Sequence, residues 1–110
     1  MDIPKADGEL SSLEAEFFKG LAHPTRIRLL RALEFGEKSV NLLAKSAGVT
    51  QANASQHLAI LRRFGVLDTR RDGSTVYYRI GDKKVLEAYE LVRRCVGERV
   101  KSRFVISVSP

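Results

Sequence analysis

The sequence predicts a mainly α-helical domain that contains one β-hairpin, with elements in the order α-α-α-α-β-β-α. Apolar residues recur at helical spacing through most of the chain, and the pattern changes to that of strands only at residues 66–80. A length of 110 residues suits a single hydrophobic core. We expect residues 11–103 to form this domain, residues 1–10 a flexible segment and residues 104–110 a tail.

The first two helices are expected to meet at a break beside Pro24. Ser11 and Glu14 match a capping box, which predicts a first helix over residues 12–21. Proline suits the first turn of a helix, where an N–H would have no partner, so a second helix is predicted from Pro24 to about Phe35. His23 is assigned to the start of that helix. Its buried face is predicted to contain Ile27, Leu30 and Leu33, and its outward face Arg26, Arg28 and Arg31.

A helix-turn-helix unit is predicted at residues 39–64. Ser39 can cap a third helix that ends near Ser46, and Thr50 can cap a fourth that ends near Phe64. The turn between them contains Gly48, and short turns with glycine are typical of two helices that cross steeply. Small residues nearby, Ala44 and Ala54, would allow the close approach.

A β-hairpin and a long last helix complete the predicted order. Residues 66–71 and 75–80 are rich in β-branched and aromatic side chains, and residues 72–74 form a turn signal between them. Asp82 is placed to cap a last helix that runs to about Lys101. Cys95 falls on an apolar stripe of this helix, so we expect it to be a buried small apolar residue.

The charge of the chain favours a polyanionic partner. The formal net charge is +6; residues 1–22 carry two basic and five acidic side chains, a net of −3, so the remainder carries +9. A basic body of this kind gains binding free energy when its side chains meet phosphates and counterions are released.

The fourth helix and the hairpin together have the order of a winged helix, and their side chains suit a DNA duplex. The exposed face of the fourth helix is expected to read base edges in the major groove, through Gln51, Asn53, Ser55, Gln56 and His57. Neighbouring side chains are expected to hold phosphates or reach a groove from the wing: Arg62, Arg63, Arg70, Arg71, Ser74 and Thr75. The sequence therefore predicts a double-stranded DNA-binding regulator, and a protein-interaction module stays open as an alternative.

Other classes of protein fit the sequence poorly. No nucleophile, base and orienting group occur together, and no glycine-rich phosphate loop is present, so we expect no enzyme activity and no cofactor. No apolar run approaches the length of a membrane span, and residues 1–10 lack a signal-peptide core. A single cysteine cannot form an internal disulfide, which suits the reducing cytoplasm.

Three motifs in this order and spacing resemble the ArsR/SmtB family of bacterial and archaeal repressors: LAHPTRIRLL at residues 21–30, ASQHLAILRRFGVL at 54–67 and RRDGSTVYYRI at 70–80. The resemblance implies a homodimer built from the first and last helices, an inverted-repeat operator and release of that operator by an effector. It also implies that the fourth-helix residues named above read DNA and that residues 71–75 form the wing tip. The interface would include Phe17, Phe18, Val85, Tyr89, Val92 and Val96.

The effector is left open by the sequence. Residues 37–42 stand where metal-sensing relatives have a cysteine motif, and the last helix lacks histidine, so no metal site is expected. Cys95 could respond to oxidants by pairing across a dimer. Tyr89, Phe17 and Phe18 could line a small-molecule pocket between subunits, or belong to the core.

Overall fold

A computed structural model describes the backbone of residues 3–108 and the side chains of residues 8–103. The predicted order of elements is confirmed, with one addition: a two-residue strand before the third helix pairs with the hairpin. In chain order the elements are α1 (Ile3–Leu21), α2 (Pro24–Ala32), β1 (Lys38–Ser39), α3 (Val40–Ala47), α4 (Gln51–Arg63), β2 (Leu67–Asp72), β3 (Thr75–Ile80) and α5 (Lys83–Val108).

Side chains cap four of the helices as predicted. His23 precedes α2, and its Nδ1 accepts a hydrogen bond from the Thr25 amide at 3.1 Å. The other three caps take an amide hydrogen from within the first turn, which satisfies a donor that has no partner inside the helix. They are Ser39 Oγ from Leu42 at 3.3 Å, Thr50 Oγ1 from Asn53 at 3.1 Å and Asp82 Oδ1 from Lys84 at 2.9 Å.

Several predicted helix ends are wrong. Helix α1 begins at Ile3 rather than Ser12, and the Ser12 hydroxyl donates to the Gly8 carbonyl at 3.2 Å, a contact made inside a helix. The capping box at Ser11 is therefore not used. Helix α2 ends at Ala32, three residues before Phe35, and α5 runs on to Val108. The division at residues 10 and 103 stays a prediction, although α1 and α5 cross both boundaries.

The hydrophobic core lies between α2, α3, α4 and the sheet. Leu29, Leu43, Leu58 and Leu61 are fully buried there, together with Val66 at the start of the wing. The inward face of α2 thus includes Leu29, whereas Ile27 is only half-buried. The predicted outward position of Arg26 is also wrong, since its side chain is half-buried; Arg28 and Arg31 are exposed as predicted.

The turn of the helix-turn-helix unit depends on Gly48. Its φ of 70° lies in the left-handed region, and its amide donates to Lys45 O at 3.2 Å while Val49 N donates to Ala44 O at 3.0 Å. Ala44 and Ala54 are both buried. Small side chains on each helix therefore allow α3 and α4 to pack closely, as expected.

The antiparallel sheet has the strand order β1-β3-β2. Leu67 pairs with Ile80 at the base of the hairpin and Asp72 with Thr75 at its tip. The turn between the strands contains Gly73, whose φ of 63° favours glycine. The base of the hairpin at Leu67 is buried and residues 70–74 at its tip are exposed, so the hairpin projects from the core as a wing.

The second half of α5 has little packing against the other described residues. All side chains of residues 91–103 are exposed, including Val92 at 58% and Val96 at 51%. The expectation that Cys95 is buried is wrong, because this half of α5 extends past the helical body and Cys95 is exposed. The Cα radius of gyration is 17.1 Å, whereas a compact domain of this length has about 13 Å. None of the helices over the described residues could cross a membrane.

Candidate nucleic-acid interface

The orientation of α4 is set by its apolar side. Ala54, Leu58 and Leu61 are 0% exposed, and their spacing places them on one face of the helix, against the core. Gln51 and Gln56 are exposed, and Asn53 and Ser55 are half-buried, on the remaining surface. No acidic residue occurs in α4. This helix therefore presents amide and hydroxyl groups without a charge that would repel phosphates.

His57 is held differently from its neighbours on α4. Its Nδ1 lies 3.1 Å from Arg26 Nη1, and its ring centroid lies 4.3 Å from that of His23. Burial lowers the pKa of His57, and the positive charges of His23 and Arg26 lower it further. Since Arg26 can only donate, Nδ1 of a neutral His57 is the acceptor. The predicted contact of His57 with DNA stays a prediction.

Arg26 is a residue of this region that sequence reasoning missed. Its Nη2 also donates to Lys19 O at 3.3 Å, so one side chain joins the end of α1 to α4. Thirty-one positions separate Arg26 from His57. No local pattern in the sequence signals a contact over that distance.

The four predicted phosphate-binding arginines are all exposed, and three of them are not engaged by a carboxylate. Arg62 and Arg63 lie in the last turn of α4, and Arg71 lies near the tip of the wing. Within residues 8–103 these three side chains form no ion pair. At the tip, Ser74 is exposed and Thr75 half-buried. Their guanidinium and hydroxyl groups are thus available to phosphates.

Arg70 has a different environment from Arg71. Its Nη2 lies 2.6 Å from Glu37 Oε1 and its Nε 3.1 Å from Glu37 Oε2, so the guanidinium holds both oxygens of the carboxylate through its Nε–Nη2 edge. The same guanidinium lies 4.6 Å from the centre of the Tyr77 ring. The hydrogen bond from Arg70 lowers the pKa of the Glu37 carboxyl. Sequence reasoning missed Glu37, which is 33 positions away.

The residues predicted to form a dimer interface share one apolar surface. Phe17, Phe18, Val85, Tyr89 and Val92 line a groove of about 440 Å³ between α1, α2 and α5. Val96 lies one turn farther along α5 and is exposed. The Tyr89 hydroxyl accepts a hydrogen bond from Arg31 Nε at 3.0 Å. Phe17 and Val85 also pack against the core of their own chain.

Neither the wing nor the helices bring metal ligands together within the described residues: no group of three or more His, Cys, Asp or Glu side chains is placed to hold an ion. His23 and His57 are close, but their neighbour is the cation Arg26. The prediction of a protein without a metal site stays a prediction.

A helix-turn-helix whose second helix has an acid-free polar face, followed directly by a basic hairpin, defines a winged helix-turn-helix DNA-binding protein. The family model described as "Bacterial regulatory protein, arsR family" matches residues 23–69. The chain belongs to this arsR family of transcriptional regulators.

Relatives and solved structures agree with this assignment. The HTH-type transcriptional regulator Rv0081 of Mycobacterium tuberculosis is 40% identical over 98 residues, which cover 88% of this chain and 86% of the relative. Its crystal structure superposes with a TM-score of 0.77 over 86% of this chain and 96% of that one. A probable mercury resistance operon repressor of Streptomyces lividans is 34% identical over 102 residues, 84% of this chain and 82% of the relative.

A third protein bears on assembly. The solution structure of a homodimeric winged helix-turn-helix DNA-binding domain from Mycobacterium bovis, a possible ArsR-family regulator, has a TM-score of 0.78 and 30% identity over 93% of this chain and 92% of that one. The predicted family, the winged helix-turn-helix fold and the function as a sequence-specific DNA-binding transcriptional regulator are confirmed.

Proposed function

We propose that this protein is a repressor that binds an inverted-repeat operator as a homodimer and releases it when an effector binds. It acts in the cytoplasm by binding alone, without a catalytic reaction, a cofactor or a metal site. The relative from Streptomyces lividans, named as a probable operon repressor, supports repression, and the homodimeric domain from Mycobacterium bovis supports the assembly.

The observation that carries this proposal is the acid-free polar face of α4. Gln51, Asn53, Ser55 and Gln56 would read base edges there, because bidentate amide contacts with adenine discriminate by about 1–3 kcal/mol each. His57 would contribute from its position against Arg26. Phosphate contacts would fix the register of the protein on DNA without reading sequence, through Arg62, Arg63, Arg71, Ser74 and Thr75.

The proposed dimer buries the apolar surface of α1 and α5. Phe18 is 68% exposed and Val92 58% exposed in the single chain, and large apolar side chains clustered in this way favour burial. In such a dimer α1 and α5 would also bring complementary charges. Glu9, Glu14 and Glu16 are exposed on α1, while residues 93–103 of α5 carry five basic side chains and one acidic one. Two-fold symmetry would set the two α4 helices about 34–36 Å apart, one turn of DNA.

The proposed effector is a small apolar molecule. The groove of about 440 Å³ between α1, α2 and α5 has the size of a ligand site, and residues of the proposed dimer surface line it, so an effector bound there would lie between the two chains. An oxidant that acts on Cys95 is the second candidate, favoured by the exposure of its thiol. Because the chain contains one cysteine, a disulfide would form between the two chains of the dimer.

The test is to select genomic DNA fragments on the purified full-length chain and to measure binding of the selected duplex and a scrambled duplex by fluorescence anisotropy. We expect saturable binding of the selected site, an inverted repeat within it and a two-chain mass by sedimentation. Absence of saturable binding would support the protein-interaction module instead. A monomer at micromolar concentration would contradict the dimer.

A further inference from the structure

We propose that Glu37 and Arg70 form a strap that holds the wing against the helical body in the orientation that binds DNA. Glu37, which precedes the first strand, is then a positioning residue for DNA binding although it is acidic. Arg70 acts through Glu37 rather than by holding a phosphate. This inference rests on the proposed function, because it requires that the wing contacts the duplex.

The register of the sheet shows how one side chain spans three strands. Tyr77 on β3 pairs with Arg70 of β2 on one side and with Ser39 of β1 on the other. Glu37 immediately precedes β1. The Arg70 side chain therefore crosses β3 over the Tyr77 ring, with its guanidinium carbon 4.6 Å from the ring centre, and Nε and Nη2 meet the Glu37 carboxylate.

The wing has few other contacts that could hold its outer part. Strand β1 contributes only two paired residues, and Tyr78 is the outermost buried side chain of the wing, at 8% exposed. Residues 70–74 are all exposed. A two-stranded hairpin is marginally stable without packing on one face. The contact between Arg70 and Glu37 is thus placed where backbone pairing with the body ends.

The surroundings of Arg70 fit a strap better than a phosphate contact. Its Nε and Nη2 already serve both oxygens of Glu37, and Nη1 lies 4.0 Å from Asp72 Oδ2. A phosphate could therefore bind only the N–H groups of Nη1 and Nη2 that remain, and that edge of the guanidinium already faces the Asp72 carboxylate. Successive strand residues point to opposite faces, so Arg71 lies on the other face of the wing from Arg70. Arg71 can therefore meet DNA while Arg70 holds the wing.

The decisive variant is Glu37→Gln, because a positioning role and simple electrostatics predict opposite changes in operator affinity. Loss of an acidic group near a phosphate surface strengthens binding electrostatically. Loss of the strap weakens it, by about two- to fivefold, the size expected of one exposed ion pair. Glu34→Gln is the matched control, since Glu34 lies three positions earlier and forms no ion pair within residues 8–103. Operator affinity is measured at a temperature where thermal unfolding shows every variant folded.

Arg70→Gln and the double variant Glu37→Gln/Arg70→Gln separate a strap from a phosphate contact. We expect Arg70→Gln to weaken operator binding while the slope of log K against log salt stays that of the wild type. Removal of a phosphate contact would reduce that slope by about one. The double variant should bind the operator no more weakly than Arg70→Gln, because each single substitution already breaks the contact between Glu37 and Arg70.

Backbone relaxation of the free protein gives a readout that does not depend on DNA. We expect faster motion of the Gly73 and Ser74 amides in Glu37→Gln than in the wild type and in Glu34→Gln. The inference is overturned if Glu37→Gln binds the operator as tightly as the wild type or more tightly, or if Arg70→Gln lowers the salt slope. A wild type without saturable duplex binding would instead overturn the proposed function, with the wing relaxation still reporting on the strap.

Discussion

Arg26 donates from Nη1 to Nδ1 of His57 at 3.1 Å, and this contact joins the first turn of α2 to the middle of α4. The ring of His23, which caps α2, packs against the same imidazole. The helix proposed to enter the major groove is therefore braced by two residues outside the helix-turn-helix unit. The contact between Arg26 and His57 that braces α4 requires His57 to be neutral.

Acid should weaken the folded state through His57. Its pKa lies below the usual value because burial and the charges of His23 and Arg26 disfavour the cation. The unfolded chain therefore binds the proton more readily, so the contribution of His57 is complete above about pH 6.5 and is lost as pH falls through the folded pKa. Urea unfolding at pH 7.5 and 5.5 should give a smaller free energy of unfolding at the lower pH. In His57→Gln that difference should shrink; an equal difference would contradict this account.

Gly20→Ala should destabilise the protein. A Cβ at this position would lie 2.5 Å from Cδ2 of Phe64. The Phe64 ring packs edge-to-face with Phe17, and the two ring centroids are 6.2 Å apart. We expect a loss of about 1–3 kcal/mol from overpacking, reduced by the better helix propensity of alanine. Gly8→Ala is the control, because nothing lies within 4 Å of its Cβ. Urea unfolding at one protein concentration should show a loss for Gly20→Ala only.

Gln56→Ala and Arg71→Ala should weaken DNA binding in different ways. Gln56 is exposed on α4, so its loss should lower the preference for the operator over random duplex by about 1–3 kcal/mol. Arg71 is exposed on the wing, so its loss should weaken both duplexes alike and reduce the salt slope by about one. Anisotropy titrations at several salt concentrations distinguish the two. If both variants lost affinity for the operator and for random duplex equally, the assignment of Gln56 to base reading and Arg71 to phosphate contact would be wrong.

Val92→Asp should separate the proposed dimer. Val92 is 58% exposed and lines the groove between α1, α2 and α5, so an aspartate there would place an unpaired charge in the buried interface. We expect a single-chain mass by sedimentation at micromolar concentration. Leu42→Asp makes the same kind of change at a 48% exposed residue of α3. That control should keep the mass of two chains; a dimeric Val92→Asp would place the interface elsewhere.

Local signals accounted for most of the correct predictions. The caps at Ser39 and Thr50 and the glycine turns at Gly48 and Gly73 involve atoms within a few residues of one another. The apolar period of α4 placed Ala54 and Leu58 inside and so placed Gln56 outside. Such features follow from backbone geometry and side-chain chemistry that neighbouring residues already contain.

The incorrect predictions arose where a local signal was overridden by a longer helix, or where the outcome depended on residues far away in the sequence. The capping box at Ser11 is a local signal that α1 does not use, because the helix begins at Ile3 and Ser11 lies in its interior. Strand β1 has two residues, too few for a period, and exists because β3 offers it paired hydrogen bonds. Cys95 lies on an apolar stripe, yet no side chain within residues 8–103 covers it.

By itself the sequence determined the order of the elements, the polar face of α4 and the basic composition of the wing, because these depend on residue type and short-range spacing. Only the tertiary structure decided that Arg26 holds His57 and that Glu37 holds Arg70, contacts 31 and 33 positions apart. Charged side chains of this kind can pair with many partners in an unfolded chain. Packing of the core selects one of them by fixing which surfaces meet.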